Sequence, residues 1–182
     1  MTEQPWTPAP NPGSAGRALI RHIVADWLTA GAIPRVLNVY PGQPMEELWE
    51  AFPAGTQFGA LVGVHVSAAG ESRSAYTGPT DPGGKMKHWE VRLDVHHRAY
   101  DIEPGPWDAG EDDYDRVFAA LEDRLRAEGR CLGRPDVILQ AGEWPREDSI
   151  RDEYDEPWWN GGVRDQWGRI FFVVSQYMQR QP

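Results

Sequence analysis

Histidines are the residues of this chain whose possible chemistry is easiest to name, because imidazole nitrogens bind metal ions. Four of the five lie on two segments that alternate polar and apolar residues: His65, His88, His96 and His97. His88 and His96 share one face of an extended strand but lie about 26 Å apart, so they cannot bind one ion together. His65 could face either of them across a strand pair. No HExxH motif or third ligand at metal spacing accompanies them, so we interpret all four as exposed or interface histidines and expect no metal site.

Carboxylates offer a second chemistry, because two of them held near stacking tryptophans can hydrolyse a glycosidic bond. An acidic, aromatic insertion, residues 142–162, contains Glu143, Trp144, Glu147, Asp148, Asp152, Glu153, Asp155, Glu156, Trp158 and Trp159. Gly and Pro bound this insertion, which is poor support for a precisely held catalytic pair. We therefore favour a solvated or partner-facing loop over a glycosidase. A carbohydrate-binding domain that uses Trp158 and Trp159 stays open as an alternative.

Other catalytic signatures are absent from the sequence. There is no GxSxG motif and no Walker A motif. The single cysteine, Cys131, excludes an intramolecular disulfide and a cysteine-based metal cluster. We therefore expect no catalytic residue and no cofactor. The sequence indicates a binding or assembly role rather than an enzyme.

Composition narrows the class of partner. The chain has 182 residues, enough for one domain with a real core, which we place at residues 16–182. Residues 1–15 are Pro-rich and polar, and we expect a flexible arm there. The formal net charge of -10 disfavours binding to nucleic acid or to an anionic membrane. No apolar run reaches about 18 residues, so we expect no membrane-spanning helix.

Two amphipathic helices are predicted from apolar residues at helical spacing, over residues 16–30 and 113–128. Ser14 is the predicted N-cap of the first helix, and Asp112 or Asp113 is that of the second. The acidic outer face of the second helix is expected to be solvated.

Strands are predicted over residues 35–40, 60–67, 86–97, 136–141 and 166–178. In the third of these, Trp89, Val91, Leu93 and Val95 alternate with polar residues, which indicates one buried face. The last is apolar on both faces and is therefore expected to be central or covered on both sides. The order of elements predicts an α+β fold, with a mixed or antiparallel β-sheet and both helices packed on one face.

A long connection joins the second and third predicted strands. This tip, residues 68–85, is too long for a tight hairpin turn, and its Gly and Pro content argues against continuous pairing. Long connections in compact domains are usually functional or disordered. We expect a β-hairpin-like arm whose tip contacts a partner.

The layout resembles the tail terminator proteins of long-tailed bacteriophages over roughly residues 17–178. The likeness rests on ALIRHIVADWL leading into VLNVYPGQP, on ALVGVHVS and KHWEVRLDVHHRA around a long loop, on DDYDRVFAALEDRL, and on an acidic, Trp-containing stretch before WGRIFFVVSQYM. The chain differs by its Pro-rich N-terminal arm and its larger insertion. The resemblance implies a non-enzymatic virion protein that forms a ring, a hexamer, which caps the tail tube and joins it to the head.

The resemblance also implies partners. These are further copies of the chain, the tail tube protein and a head–tail connector or stopper protein, while DNA would pass through the lumen without specific binding. The predicted interface residues, in the tip and the aromatic insertion, are Tyr76, Lys85, Lys87, Trp144, Arg146, Trp158 and Trp159. Two alternatives remain: another head–tail connector or neck protein, and an acidic, Trp-rich immunity-type module that binds a basic toxin.

Overall fold

The computed structural model describes residues 16–42, 52, 58–73, 85–100, 109–127, 132–134, 136–139, 150–160 and 162–178. Within these ranges it has two helices and seven strands: α1 (Arg17–Ala30), β1 (Val36–Tyr40), β2 (Phe58–Arg73), β3 (Lys85–Tyr100), α2 (Ala109–Arg126), β4 (Val137–Leu139), β5 (Arg151–Tyr154), β6 (Trp158–Asn160) and β7 (Val163–Met178). The predicted α+β class is confirmed. The predicted N-terminal arm and Cys131 lie outside the described residues.

All seven strands belong to one mixed sheet. Its order is β1-β2-β3-β7-β4, and the short strands β5 and β6 also pair with β7. β1 runs parallel to β2, and every other pairing is antiparallel. β7 therefore has β3 along one edge and three short strands along the other, so its predicted central position is confirmed.

The hydrophobic core lies between the two helices and one face of this sheet, here called the helix face. The buried residues of β3 include Trp89, Val91, Leu93 and Val95, as the alternation predicts. The helices add two apolar stripes to the same cluster: Leu19, Ile20, Ile23, Val24 and Leu28 from α1, and Tyr114, Val117, Phe118, Leu121 and Leu125 from α2. Burying each large apolar side chain contributes about 1.5–3 kcal/mol. The packing of this layer therefore stabilises the attachment of both helices to the helix face of the sheet.

The strand pair β2–β3 continues further than predicted. Its register runs to Arg73 opposite Lys85, with one irregularity between Ala68 and Gly70. Ala69 is the extra residue of a single bulge, and Gly70, whose φ of 155° a glycine adopts without strain, pairs with His88 as the register resumes. The prediction that pairing stops at residue 68 is wrong. The connection between the strands is reduced to residues 74–84, which lie outside the described residues.

The acidic insertion is not all loop, because β5 and β6 lie within it and pair with β7. All four residues of β5 are exposed. A strand with no buried residue has no apolar alternation, so the sequence carries no signal for it. The prediction of a loop over this part of the insertion is wrong, and backbone pairing along the free edge of β7 is the reason.

Both helix starts differ from the prediction. The N-cap of α1 is Gly16, without a side-chain cap hydrogen bond, so the predicted cap at Ser14 is wrong. α2 begins at Ala109, which places Asp112 and Asp113 inside the helix rather than at its cap. Asp112 lies in the first turn, where the helix dipole favours an acidic side chain. Asp113 is buried and binds a histidine of the sheet.

Candidate interaction surface

The face of the sheet opposite the helices, here called the open face, presents charged and aromatic side chains at its surface. Register and alternation place a row of partly or fully exposed residues on it, which includes His65, Ser67, Glu90, Arg92, Asp94, Trp167, Arg169, Phe171, Val173 and Tyr177. Trp167 and Tyr177 are each 39% exposed. Aromatic and arginine side chains are the groups most often found at the centre of protein interfaces, so this face has the composition of a contact surface.

Ion pairs centred on Asp94 organise the middle of the open face. Its Oδ1 lies 2.9 Å from Arg92 Nε and 3.8 Å from Arg169 Nε. Its Oδ2 lies 3.0 Å from His65 Nε2. Burial is the largest cause that lowers the pKa of His65, and Arg92 and Arg21 lower it further against the opposing effect of Asp94. His65 is therefore neutral at physiological pH, and Asp94 is held by the two arginines.

A pocket of about 260 Å³ opens beside this network, here called the basic pocket. Its lining residues are Arg21, His65, Val66, Ser67, Glu90, Arg92 and Phe171. Arg21 reaches it from α1, and its Nε is shielded from solvent with no hydrogen-bond partner among the described residues. A shielded guanidinium N–H gains free energy from an acceptor. The pocket therefore brings two guanidinium groups, Arg21 and Arg92, together with the carboxylate of Glu90.

The outer edge beyond β7 has the opposite character. Every residue from 151 to 158 is exposed, including four carboxylates, and Trp158 is 59% exposed. The turn between β5 and β6, here called the acidic turn, consists of Asp155, Glu156 and Pro157. The backbone N–H of Asp155 donates to the carbonyl oxygen of Trp167 at 3.0 Å, which fixes the turn against β7. This edge offers negative charge and one exposed indole from a defined backbone.

One end of the open face carries a buried charged cluster. Arg98 donates to Asp165 through two hydrogen bonds, Nε–Oδ1 at 2.7 Å and Nη2–Oδ2 at 3.0 Å. His96 Nε2 lies 3.2 Å from the same Oδ1, and its ring stacks on Trp167 with centroids 3.9 Å apart. Burial raises the pKa of Asp165, but the hydrogen bonds from His96 and Arg98 outweigh it and the pKa is lowered. Asp165 is therefore an ionised carboxylate at neutral pH.

A second histidine–aspartate pair lies directly across the sheet, on the helix face. His97 is fully buried, and its Nε2 lies 3.0 Å from Asp113 Oδ2 on α2. Arg35, which precedes β1 and has φ 65°, places its Nε 3.4 Å from Asp113 Oδ1. Burial is the main cause that lowers the pKa of His97, against the raising effect of Asp113. The pair joins β3 to α2 and to the segment before β1.

The interpretation of all four histidines as exposed or interface residues is wrong for two of them. His96 and His97 are 2% and 0% exposed. The alternation in β3 could have placed His97 on the buried face, since it follows Val95 by two residues. Nothing in the sequence pattern identifies Asp113 and Asp165 as their partners, because each lies on a different element.

The predicted interface residues are placed unevenly. Lys87 is partly exposed on β3, with its ammonium 4.4 Å from the centre of the Trp89 ring and 4.0 Å from Glu71 Oε1. Trp158 is exposed beside Asp165 on the open face. Trp159 points to the helix face, where Arg164 lies 5.8 Å from the centre of its ring. Three of the predicted residues, Tyr76, Trp144 and Arg146, and the side chain of Lys85, lie outside the described part of the chain.

Catalytic geometries are limited among the described residues. No group of three or more His, Cys, Asp or Glu residues there could hold a metal ion. His88 Nδ1 lies 2.7 Å from Ser175 Oγ, a nucleophile–base distance, but Ser175 is 0% exposed and its hydroxyl cannot meet a substrate.

Two remaining features are the length of the helices and the similarity of the chain to known proteins. Neither helix that the structure describes is long and apolar enough to cross a membrane. No protein-family profile and no curated protein sequence matches this chain.

Proposed function

We propose that this protein is a ring-forming tail terminator of a long-tailed bacteriophage, which caps the tail tube and joins it to the head or neck. The observation that carries the proposal is a sheet whose helices pack on one face while the other face exposes aromatic and charged side chains. The order of elements, with a long hairpin between two helices, matches the resemblance on which the proposal is based.

The lengths of the strands support a contact role for the end of the sheet where β2 ends and β3 begins. β2, β3 and β7 have 16 residues each and so span about 50 Å. α1 and α2 have 14 and 18 residues and span about 21 and 27 Å. The first residues of β3, including Lys87 and His88, are partly exposed. This end of the three long, hydrogen-bonded strands is well suited to contact a neighbouring subunit or the tube.

The charge supports a lumen that passes DNA without holding it. A net charge of -10 repels phosphate, and such repulsion disfavours non-specific binding. Another head–tail connector or neck protein would share this requirement, and it remains the nearest alternative within the same proposal.

The test is assembly in the presence of the tube. Purified protein is mixed with tail tubes and imaged by electron microscopy, and its mass in solution is measured by light scattering. We expect rings at tube ends, and Trp158→Ala to reduce their number while leaving thermal unfolding unchanged. Arg116→Ala, an exposed change on α2, is the control and should assemble normally. A strict monomer that leaves tube ends bare would refute the proposal.

A second candidate, an acidic immunity-type module, is favoured by the exposed carboxylates and Trp158 of the outer edge. Such a module would bind one basic toxin as a monomer and would ignore tail tubes. Genes for a toxin beside this gene would favour it, and genes for tail and head proteins would count against it.

A further inference from the structure

We propose that the acidic turn of one subunit binds in the basic pocket of the next copy in the ring. The inference rests on the ring function proposed above and deepens it by assigning the contact between neighbours. The occupant is a second copy of this chain, and the group recognised is a carboxylate of Asp155 or Glu156.

The pocket has the chemistry that a carboxylate requires. Arg21 and Arg92 line it together with the carboxylate of Glu90, and Phe171 adds an apolar side chain. Arg92 is already paired with Asp94 through Nε and Nη2, whereas the shielded Nε of Arg21 has no acceptor among the described residues. A carboxylate entering between these side chains would supply that acceptor. Charge-assisted hydrogen bonds of this kind are roughly twice as strong as neutral ones.

The acidic turn combines exposed side chains with a fixed backbone, as a segment that inserts into a neighbouring subunit requires. Asp155, Glu156 and Pro157 are all exposed, so their side chains can enter a neighbour without unfolding. Oδ2 of Asp155 lies 3.8 Å from Nη2 of Arg169. This ion pair is long, so an arginine of a neighbouring subunit can replace Arg169. No ion pair of Glu156 is found within the described ranges. The backbone is fixed by the hydrogen bond to Trp167 and by Pro157, which reduces the entropy lost on binding.

Placement in the fold makes the two sites suitable for a ring. The basic pocket is lined from α1, β2, β3 and β7, whereas the acidic turn follows β5, which pairs with the other edge of β7. Two different, complementary patches on one subunit produce head-to-tail contacts, which generate a closed ring when the rotation closes. A two-fold dimer would instead use the same patch on both copies.

Charge reversal on each side, alone and combined, tests the contact. We expect Arg21→Glu to weaken ring formation about tenfold or more, and the double change Asp155→Lys with Glu156→Lys to do the same. The triple variant should recover most of the lost assembly, because the charges are exchanged. Controls on the exposed face of α2 carry the same charge changes: Arg116→Glu for the pocket, and Asp115→Lys with Asp123→Lys for the turn. Thermal unfolding confirms that each variant is folded, and Arg21→Gln replaces Arg21→Glu if the latter is not.

The outcomes separate the two proposals. Restored assembly in the triple variant supports the contact. If the wild-type chain forms rings and the reversals assemble equally well, or the triple variant stays as impaired as either parent, the contact is wrong and the ring function stands. If Arg21→Glu loses tube binding but keeps self-association, the pocket binds tube protein and the inference is overturned. If the wild type never assembles, the ring function itself fails and this contact fails with it.

Discussion

Replacing Asp165 by Asn should destabilise the protein strongly, because it removes one charge from a buried cluster and leaves the other. Asp165 and Arg98 are only 3% and 8% exposed. In the variant, the Arg98 guanidinium loses the carboxylate that accepts its bonds at 2.7 and 3.0 Å, and His96 loses an ionic partner at 3.2 Å. The change keeps the size of the side chain, so the effect is electrostatic rather than a cavity.

The expected magnitude follows from the burial of the pair. Breaking a buried ion pair by removing one partner costs about 3–5 kcal/mol, since an uncompensated charge remains in a poorly solvated site. For a domain of this size that corresponds to a fall in melting temperature of roughly 6–20 °C. The exposed pair of Arg126 and Glu122 on α2, at 2.7 Å, is the matched control, and Glu122→Gln should cost only about 0.5 kcal/mol.

Urea unfolding followed by tryptophan fluorescence measures both variants, and pH gives an independent check. The folded-state pKa of Asp165 is lowered, so its contribution is present above the unfolded pKa of about 3.9 and is lost as pH falls through the folded value. The stability lost as pH falls through this acidic range should be smaller in Asp165→Asn than in the wild type.

The double variant Arg98→Met with Asp165→Asn should be more stable than Asp165→Asn alone, because no charge is left unpaired. A cost for Asp165→Asn below about 1 kcal/mol would refute the reasoning.

Two further predictions concern the helix face. The pKa of buried His97 is lowered, so the unfolded state binds its proton first, and stability should fall as pH decreases through the unfolded value of about 6.5, until the folded pKa is passed. His97→Gln should flatten this dependence in urea unfolding at pH 7.5 and 5.5, and an unchanged slope would contradict it. Gly168→Ala should cost about 1–3 kcal/mol in thermal unfolding, because its Cβ would meet Tyr114 and Phe118. Gly59→Ala, where the three atoms nearest the added Cβ all belong to the flexible Leu37 side chain, should cost less, and equal costs would argue against tight packing above Gly168.

The core of the fold is predictable from the sequence where periodicity is strong. β3 and β7 were expected within a few residues of their observed bounds, and both helices were expected with their apolar stripes. The strands bury every second residue and the helices bury every third or fourth residue. The spacing of apolar residues in the sequence therefore predicts each element directly. The buried face of β3, from Trp89 to Val95, is the clearest example.

The strands that were missed are those whose stability comes from backbone pairing. β5 has only exposed side chains, and it is a strand because β7 offers unpaired backbone groups along that edge. The end of β2 likewise continues past Ala68 because β3 pairs with it through a bulge. Such pairing depends on which strand lies alongside, and that information is tertiary.

The candidate surfaces could be predicted only in part. Trp158 of the aromatic insertion is exposed, and its contact with a partner stays a prediction. The basic pocket could not be foreseen, because Arg21 comes from α1 and His65 and Arg92 come from two strands. Residues at such unrelated positions carry no spacing signal, and only the tertiary structure brings them together.

The distribution of buried and exposed charge explains why stability and contact can be tested separately. The buried pairs, His96 with Asp165 and His97 with Asp113, lie at one end of β3 on opposite faces of the sheet. They join β3 to β7 on one side and to α2 on the other, so their loss should loosen the whole domain. The basic pocket lies further along the same strands, where the charges are partly solvated and contribute little to folding. A variant at Asp165 should therefore impair assembly only through unfolding, whereas a variant at Arg21 should impair assembly in a folded protein.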